Sequence, residues 1–127
     1  MKKNTRAIHL PYRRRDAYDA LSMPVYNAVA YEFDDAKTMA DAFCERIDAP
    51  DYSRCENPTV DNFEDRVRAL TDAFSVTALN SGMAAISNIM LALTAQGKNV
   101  VSSTHMFGNT FDLLNRSLRK FGVGLHT

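Results

Sequence analysis

Three short stretches hold side chains whose types and spacing could do chemistry. In "TALNSGMAA" the corner Asn80-Ser81-Gly82-Met83 ends an apolar run and opens an alanine-rich helical pattern. The first N–H groups of a helix have no partner within it, and the helix dipole is positive there. An anion can therefore sit on the amides of Gly82 and Met83, with no Cβ on Gly82 to hold it off and the Ser81 hydroxyl as a further donor. The same residues also suit an ordinary capped turn. In "HMFGNT", Gly108 and Asn109 make a turn, Thr110 can cap the next helix, and Phe107 falls at the C-terminal edge of a sheet. That edge is where open α/β sheets bind ligands. A ring there either stacks on a planar group, worth ~0.5–1.5 kcal/mol beyond its buried area, or is plain core. In "YSRCENPT", Tyr52 and Arg54 flank Ser53, so an extended loop points both to one side. A phenol and a guanidinium together suit a phosphate, which arginine can grip with two hydrogen bonds; an exposed loop pair is the alternative.

The elements that must position these turns follow from periodicity. Residues 1 to 34 show no clear period and hold Pro11 and Pro24 with four of the five tyrosines, Tyr12, Tyr18, Tyr26 and Tyr31. They read as an arm laid across another surface, with weak alternation in "PVYNAVAYEF". Asp34 or Asp35 can cap a helix in which Met39, Ala40, Phe43 and Ile47 recur at helical spacing. After a loop, Asn57 and Pro58 make a strong helix start, and Val60, Phe63, Val67 and Leu70 mark its apolar stripe. "SVTAL" predicts a strand, residues 81 to 97 a helix closed by Gly97, and "NVVSST" a second strand. Thr110 to Phe121 predict a helix with Phe111, Leu114, Leu118 and Phe121 on one side, stopped by Gly122 before a strand begins in "VGLHT". Helix and strand thus alternate, which predicts α/β layering on a mainly parallel sheet. Parallel sheets are covered on both faces, and two or three strands with apolar helices want more partner than 127 residues supply. The chain reads as part of a larger fold, with residues 1–56 as arm and first helix and 57–127 as the start of a large domain.

Composition sets bounds on partners. Fifteen Lys and Arg balance fifteen Asp and Glu, so overall charge predicts neither nucleic-acid nor membrane attraction. The cationic run in "YRRRD", 12 to 16, reads as a solvated face. No apolar run approaches the ~20 residues of a membrane span, and the N-terminus lacks the apolar core of a secretory signal. Cys44 and Cys55 form no disulfide framework, and neither they nor His9, His105 and His126 have metal-ligand spacing. A cytoplasmic, metal-free protein is the expectation.

Taken in order and spacing, "YSRCENPTVDNFEDRVRAL", "NSGMAAISNIMLAL" and "FGNTFDLL" resemble the N-terminal third of the Cys/Met-metabolism family of pyridoxal-phosphate enzymes, and "MPVYNAVAYEFDDAKTMADAF" extends the likeness over nearly the whole chain. The family includes cystathionine synthases and lyases, methionine γ-lyase and the homoserine-ester sulfhydrylases. The resemblance implies the beginning of a fold-type-I large domain, pyridoxal 5'-phosphate as cofactor, and a homo-oligomer, a tetramer built from dimers. It implies that Tyr52 and Arg54 reach the cofactor phosphate of the neighbouring subunit. It also implies that Gly82 and Met83, with Ser81 beside them, bind the phosphate in their own subunit, and that Phe107 stacks on the pyridine ring.

Two departures shape the expected activity. Phe107 and Asn109 stand in the family's Tyr-Gly-Gly-Thr turn, and a phenyl ring has no hydroxyl to move a proton. Lyases that expel a γ-leaving group are expected to use that hydroxyl, so the sulfhydrylase branch is favoured: an acylated homoserine and sulfide giving homocysteine. A methionine or cystathionine γ-lyase is the family rival. Leu70-Thr71-Asp72 replaces the family's Leu-Glu-Gly and reads as surface variation. The resemblance places the Schiff-base lysine, the acid facing the pyridine nitrogen and the carboxylate-binding arginine beyond the position of Thr127; Lys2, Lys3, Lys37, Lys98 and Lys120 lie in other contexts. The 127 residues alone are therefore expected to lack turnover, and a non-catalytic, oligomerising phosphate-binding chain is the reading from another class.

Overall fold

The computed structural model describes residues 2–12 and 16–127; Arg13, Arg14 and Arg15, the centre of the cationic run, lie outside them. In chain order it contains helices α1 (Lys3–His9), α2 (Ala36–Phe43), α3 (Pro58–Thr71) and α4 (Gly82–Leu93), strand β1 (Asn99–Val101), helix α5 (Gly108–Asp112) and strand β2 (Gly124–His126). The chain forms two compact units, Met1–Ala78 and Leu79–Thr127.

In the first unit, α3 starts where the sequence predicts. The Asn57 side-chain oxygen accepts the Thr59 N–H at 2.9 Å, and Pro58 takes the first helical position, where its missing N–H costs nothing. The helix ends at Asp72, which adopts a left-handed conformation with φ 54° and ψ 30°. The start of the arm, which shows no clear period in the sequence, is helical, and α1 packs on α3. Arg66 of α3 donates to the carbonyls of Ala7 and Ile8, and Asp72 binds Lys3 at 3.0 Å and Arg6 at 3.5 Å. These contacts are polar and α1 has no buried residue, so no apolar stripe announces it. Asp72 is accordingly an inter-helix tether as well as a helix cap, more than the surface variation expected of it. Asp35 caps α2 by accepting the Thr38 N–H at 2.7 Å. That helix stops at Phe43 rather than running on to Ile47, because Glu45 turns left-handed with φ 55°.

The stretch "SVTAL" departs from expectation most clearly. Residues 75–79 form no strand and join no ladder among the described residues, and the Ala78 N–H donates to the Glu64 carboxylate at 2.6 Å instead of to a neighbouring strand. The apolar stripes also differ from expectation. Val60, Phe63 and Leu70 on α3, and Met39 and Phe43 on α2, are exposed, whereas Ala42, Asp65 and Ala69 are buried.

The second unit carries the sheet. Strands β1 and β2 pair in parallel with register Asn99↔Gly124, Val100↔Leu125 and Val101↔His126, joined through α5 as a β-α-β connection. The first strand is shorter than "NVVSST" suggests, although Ser102 extends the pairing by one hydrogen bond to His126. Helix α4 ends at Leu93, four residues before Gly97, which instead turns the chain towards β1. After Asp112, α5 widens into a π turn at Leu113–Ser117 and then tightens into a 3-10 turn at Leu118–Phe121. More residues per turn followed by fewer rotates the apolar positions off one stripe. Leu114 and Leu118 reach the core with Val123, against Met90, Val100, Met106 and Leu125, while Phe111 and Phe121 stay exposed. Gly122 ends the helix with φ 76°, and a Cβ there would press on Gln96.

Candidate functional site

The corner that opens α4 is built by Ser81. Its backbone is extended and its hydroxyl oxygen accepts the Ala84 N–H at 3.1 Å, which starts the helix and turns the first amides outward. A serine hydroxyl that accepts in this way keeps its proton to donate. A Cβ added at Gly82 would meet nothing of the protein within 4 Å. Internal packing therefore does not require glycine here; the missing Cβ matters to whatever approaches from outside. Ser81 and Gly82 are exposed and Met83 half-buried. Amides from a 12-residue helix, a free hydroxyl proton and open access suit the dianionic phosphate of a cofactor ester.

Phe107 sits just before α5 in extended conformation and is 72% exposed, so the alternative of a core phenylalanine is excluded for this chain. It lies past the C-terminal end of β1, in the segment leading into the helix. The structure brings this turn to the α4 corner: the Thr110 hydroxyl, one turn beyond Phe107, meets the Met83 sulfur at 3.7 Å. Ser81, Gly82, Met83 and Phe107 thus belong to two neighbouring turns of one unit.

Tyr52 and Arg54 belong to the first unit. The loop is not extended, as the same-side argument assumed. Tyr52 makes an isolated antiparallel bridge with Ala30, and its carbonyl accepts from Cys55 at 2.8 Å and Glu56 at 3.0 Å, closing a turn. The turn nevertheless puts both side chains together: the Arg54 guanidinium lies 5.2 Å from the centre of the Tyr52 ring. Both are exposed and line a cleft of about 900 Å³ with Phe43, Arg46 and Ile47 among its walls. A cation held over a phenol ring leaves its N–H edge for an anion.

Sequence reasoning missed the support beneath this pair. Ser53, between the two, donates its N–H to Val29 at 2.9 Å and its hydroxyl to Ala28, and accepts from Asn57 Nδ2 at 2.9 Å. Asn57 reads in the sequence as a helix cap; its second task shows only once residues 26–31 are folded against it.

A family model for Cys/Met metabolism PLP-dependent enzymes matches residues 4–127. The chain belongs to that family, whose full-length members use pyridoxal phosphate. Its relatives include the sulfhydrylase FUB7 of Fusarium oxysporum, 34% identical over 94% of this chain and 28% of that protein, and the L-methionine gamma-lyase of Fusobacterium nucleatum, 34% identical over 97% and 32%. Among solved structures, an O-acetylhomoserine (thiol)-lyase of Campylobacter jejuni carrying pyridoxyl-lysine-5'-monophosphate superimposes with a TM-score of 0.87. It is 29% identical, over 99% of this chain and 30% of that one. The fold is accordingly the beginning of a PLP-dependent fold-type-I domain, and the chain spans under a third of the length of these relatives.

Proposed function

We propose that this chain is the N-terminal, phosphate-holding segment of a sulfhydrylase that makes homocysteine from an acylated homoserine and sulfide. The observation that carries this reading within the family is Phe107, an exposed ring with no hydroxyl at the turn beside the α4 corner. Pyridoxal phosphate, when bound, supplies an electron sink for the amino-acid substrate. The residues of this chain hold and orient it. The Gly82 and Met83 amides with the Ser81 hydroxyl take the phosphate, and Phe107 covers one face of the ring. Tyr52 and Arg54 take the phosphate of a neighbouring subunit, which makes a homo-oligomer part of the reading. Because Phe107 can neither give nor take a proton, it cannot assist the elimination that competes with sulfide addition. A cytoplasmic enzyme goes with this assignment.

The test is an assay of the full-length protein with pyridoxal phosphate on O-acetyl- and O-succinyl-homoserine with sulfide, beside methionine alone. Homocysteine from an acylated homoserine is expected. Release of a thiol and 2-oxobutanoate from methionine, without homocysteine synthesis, would assign the protein to the γ-lyases instead. No turnover of any of these substrates would favour a non-catalytic role.

A further inference from the structure

We propose that Ser53, with Asn57 and Tyr31, is a positioning device that sets the Tyr52–Arg54 pair in place before any phosphate arrives; this rests on the reading of that pair as phosphate ligands. The hydrogen-bond arithmetic carries it. A serine hydroxyl has one proton and two lone pairs. The Ser53 proton goes to the Ala28 carbonyl, so the Tyr31 hydroxyl, 3.1 Å from the same oxygen, must be a donor to it, and Asn57 Nδ2 at 2.9 Å is the other. Ser53 is thereby saturated. Asn57, only 8% exposed, has both donors committed: its second N–H reaches the Tyr26 carbonyl at 3.1 Å, and its oxygen caps α3.

The hub ties three pieces of backbone, residues 26–31, the turn at 52–56 and the start of α3, to a single hydroxyl. Flanking it on either side are the two residues proposed to meet the anion. Arg54 is exposed and its long side chain would otherwise lose much freedom on binding. A turn already closed and pinned at its centre removes part of that loss, which is how preorganisation raises affinity. Ser53 and Asn57 touch no ligand in this scheme; they act through their neighbours.

The experiment measures pyridoxal-phosphate affinity by fluorescence titration of the full-length protein, together with the melting temperature of the cofactor-free form. Ser53→Ala is expected to weaken affinity about tenfold, and Ser53→Thr, which keeps the hydroxyl, to restore it to within about twofold. Tyr31→Phe removes one donor and is expected to weaken affinity about threefold, which keeps the test open should Ser53→Ala fail to fold. Arg54→Ala separates the two levels. If Arg54→Ala leaves affinity unchanged, the reading of the pair as phosphate ligands falls. If Arg54→Ala weakens it but Ser53→Ala or Tyr31→Phe binds like wild type, the positioning role alone is overturned. A lowered melting temperature without rescue of affinity by Ser53→Thr would make the hub merely structural, and would also overturn it.

Discussion

At the scale of single residues, Phe107 and Asp72 differ in how much of their setting a local pattern carries. Phe107 is legible as a stacking candidate because it follows a strand and precedes a turn, and its exposure rules out the competing core reading. Restoring the hydroxyl should shift the chemistry: in the full-length enzyme Phe107→Tyr is expected to raise 2-oxobutanoate release relative to homocysteine formation about tenfold or more, within the ~10²–10⁴ range of proton-transfer assistance. An unchanged product ratio would remove the observation on which the sulfhydrylase assignment rests. Asp72 was harder to read. Its left-handed φ of 54° belongs to a glycine-favoured position, and only the fold reveals that its carboxylate reaches Lys3 and Arg6. The hydrogen bond and charge of Lys3, then Arg6, hold that carboxyl below its ordinary value of 3.8.

At the scale of elements, starts were legible and ends were not. Ser81, Asn57 and Asp35 each cap the helix that the sequence assigned to them, because a cap is a local bond between residues two or three apart. The ends of α2 and α4 rest on local backbone turns at Glu45 and Thr94 that apolar periodicity does not encode, whereas "SVTAL" gives up a ladder bond to Glu64, fourteen residues away. Helix α1 was invisible because its contacts, too, are distant in sequence. Seven residues do not hold a helix in water unaided, so its persistence rests on Arg66 and Asp72. Arg66→Ala is expected to speed amide exchange across residues 3–9 at least tenfold while α3 keeps its protection, as hydrogen exchange with mass spectrometry would show. Acid should act in the same direction through Asp72. A depressed carboxyl contributes fully above pH 3.8 and loses its contribution as the pH falls through its lower folded value. Unaltered exchange in Arg66→Ala would mean that α1 is held by something else.

At the scale of the whole molecule, the family could be read from three motifs in order, since those motifs are local, while the alternation read from periodicity holds only from Asn99 onward. Which apolar faces are covered could not be read, because coverage depends on partners outside the element. Phe63, Leu70, Phe74, Ile89, Leu91 and Leu93 are exposed, and the buried hydrophobic side chains among those described are Ala42, Ala69, Leu114, Leu118 and Val123. That sparse core has a thermodynamic consequence. Unfolding raises the heat capacity in proportion to the apolar surface it newly wets, ordinarily ~12–15 cal/mol/K per residue. Here most large apolar side chains are wet already. Scanning calorimetry of the 127-residue chain should therefore give a heat-capacity step below half the ordinary value and a broad, shallow transition, whereas a sharp peak with the full step would require those faces to be buried in solution. For this chain, temperature would then be a weak lever: with so little surface left to hydrate, its stability curve is flat, and neither warming nor cooling changes its folded population steeply.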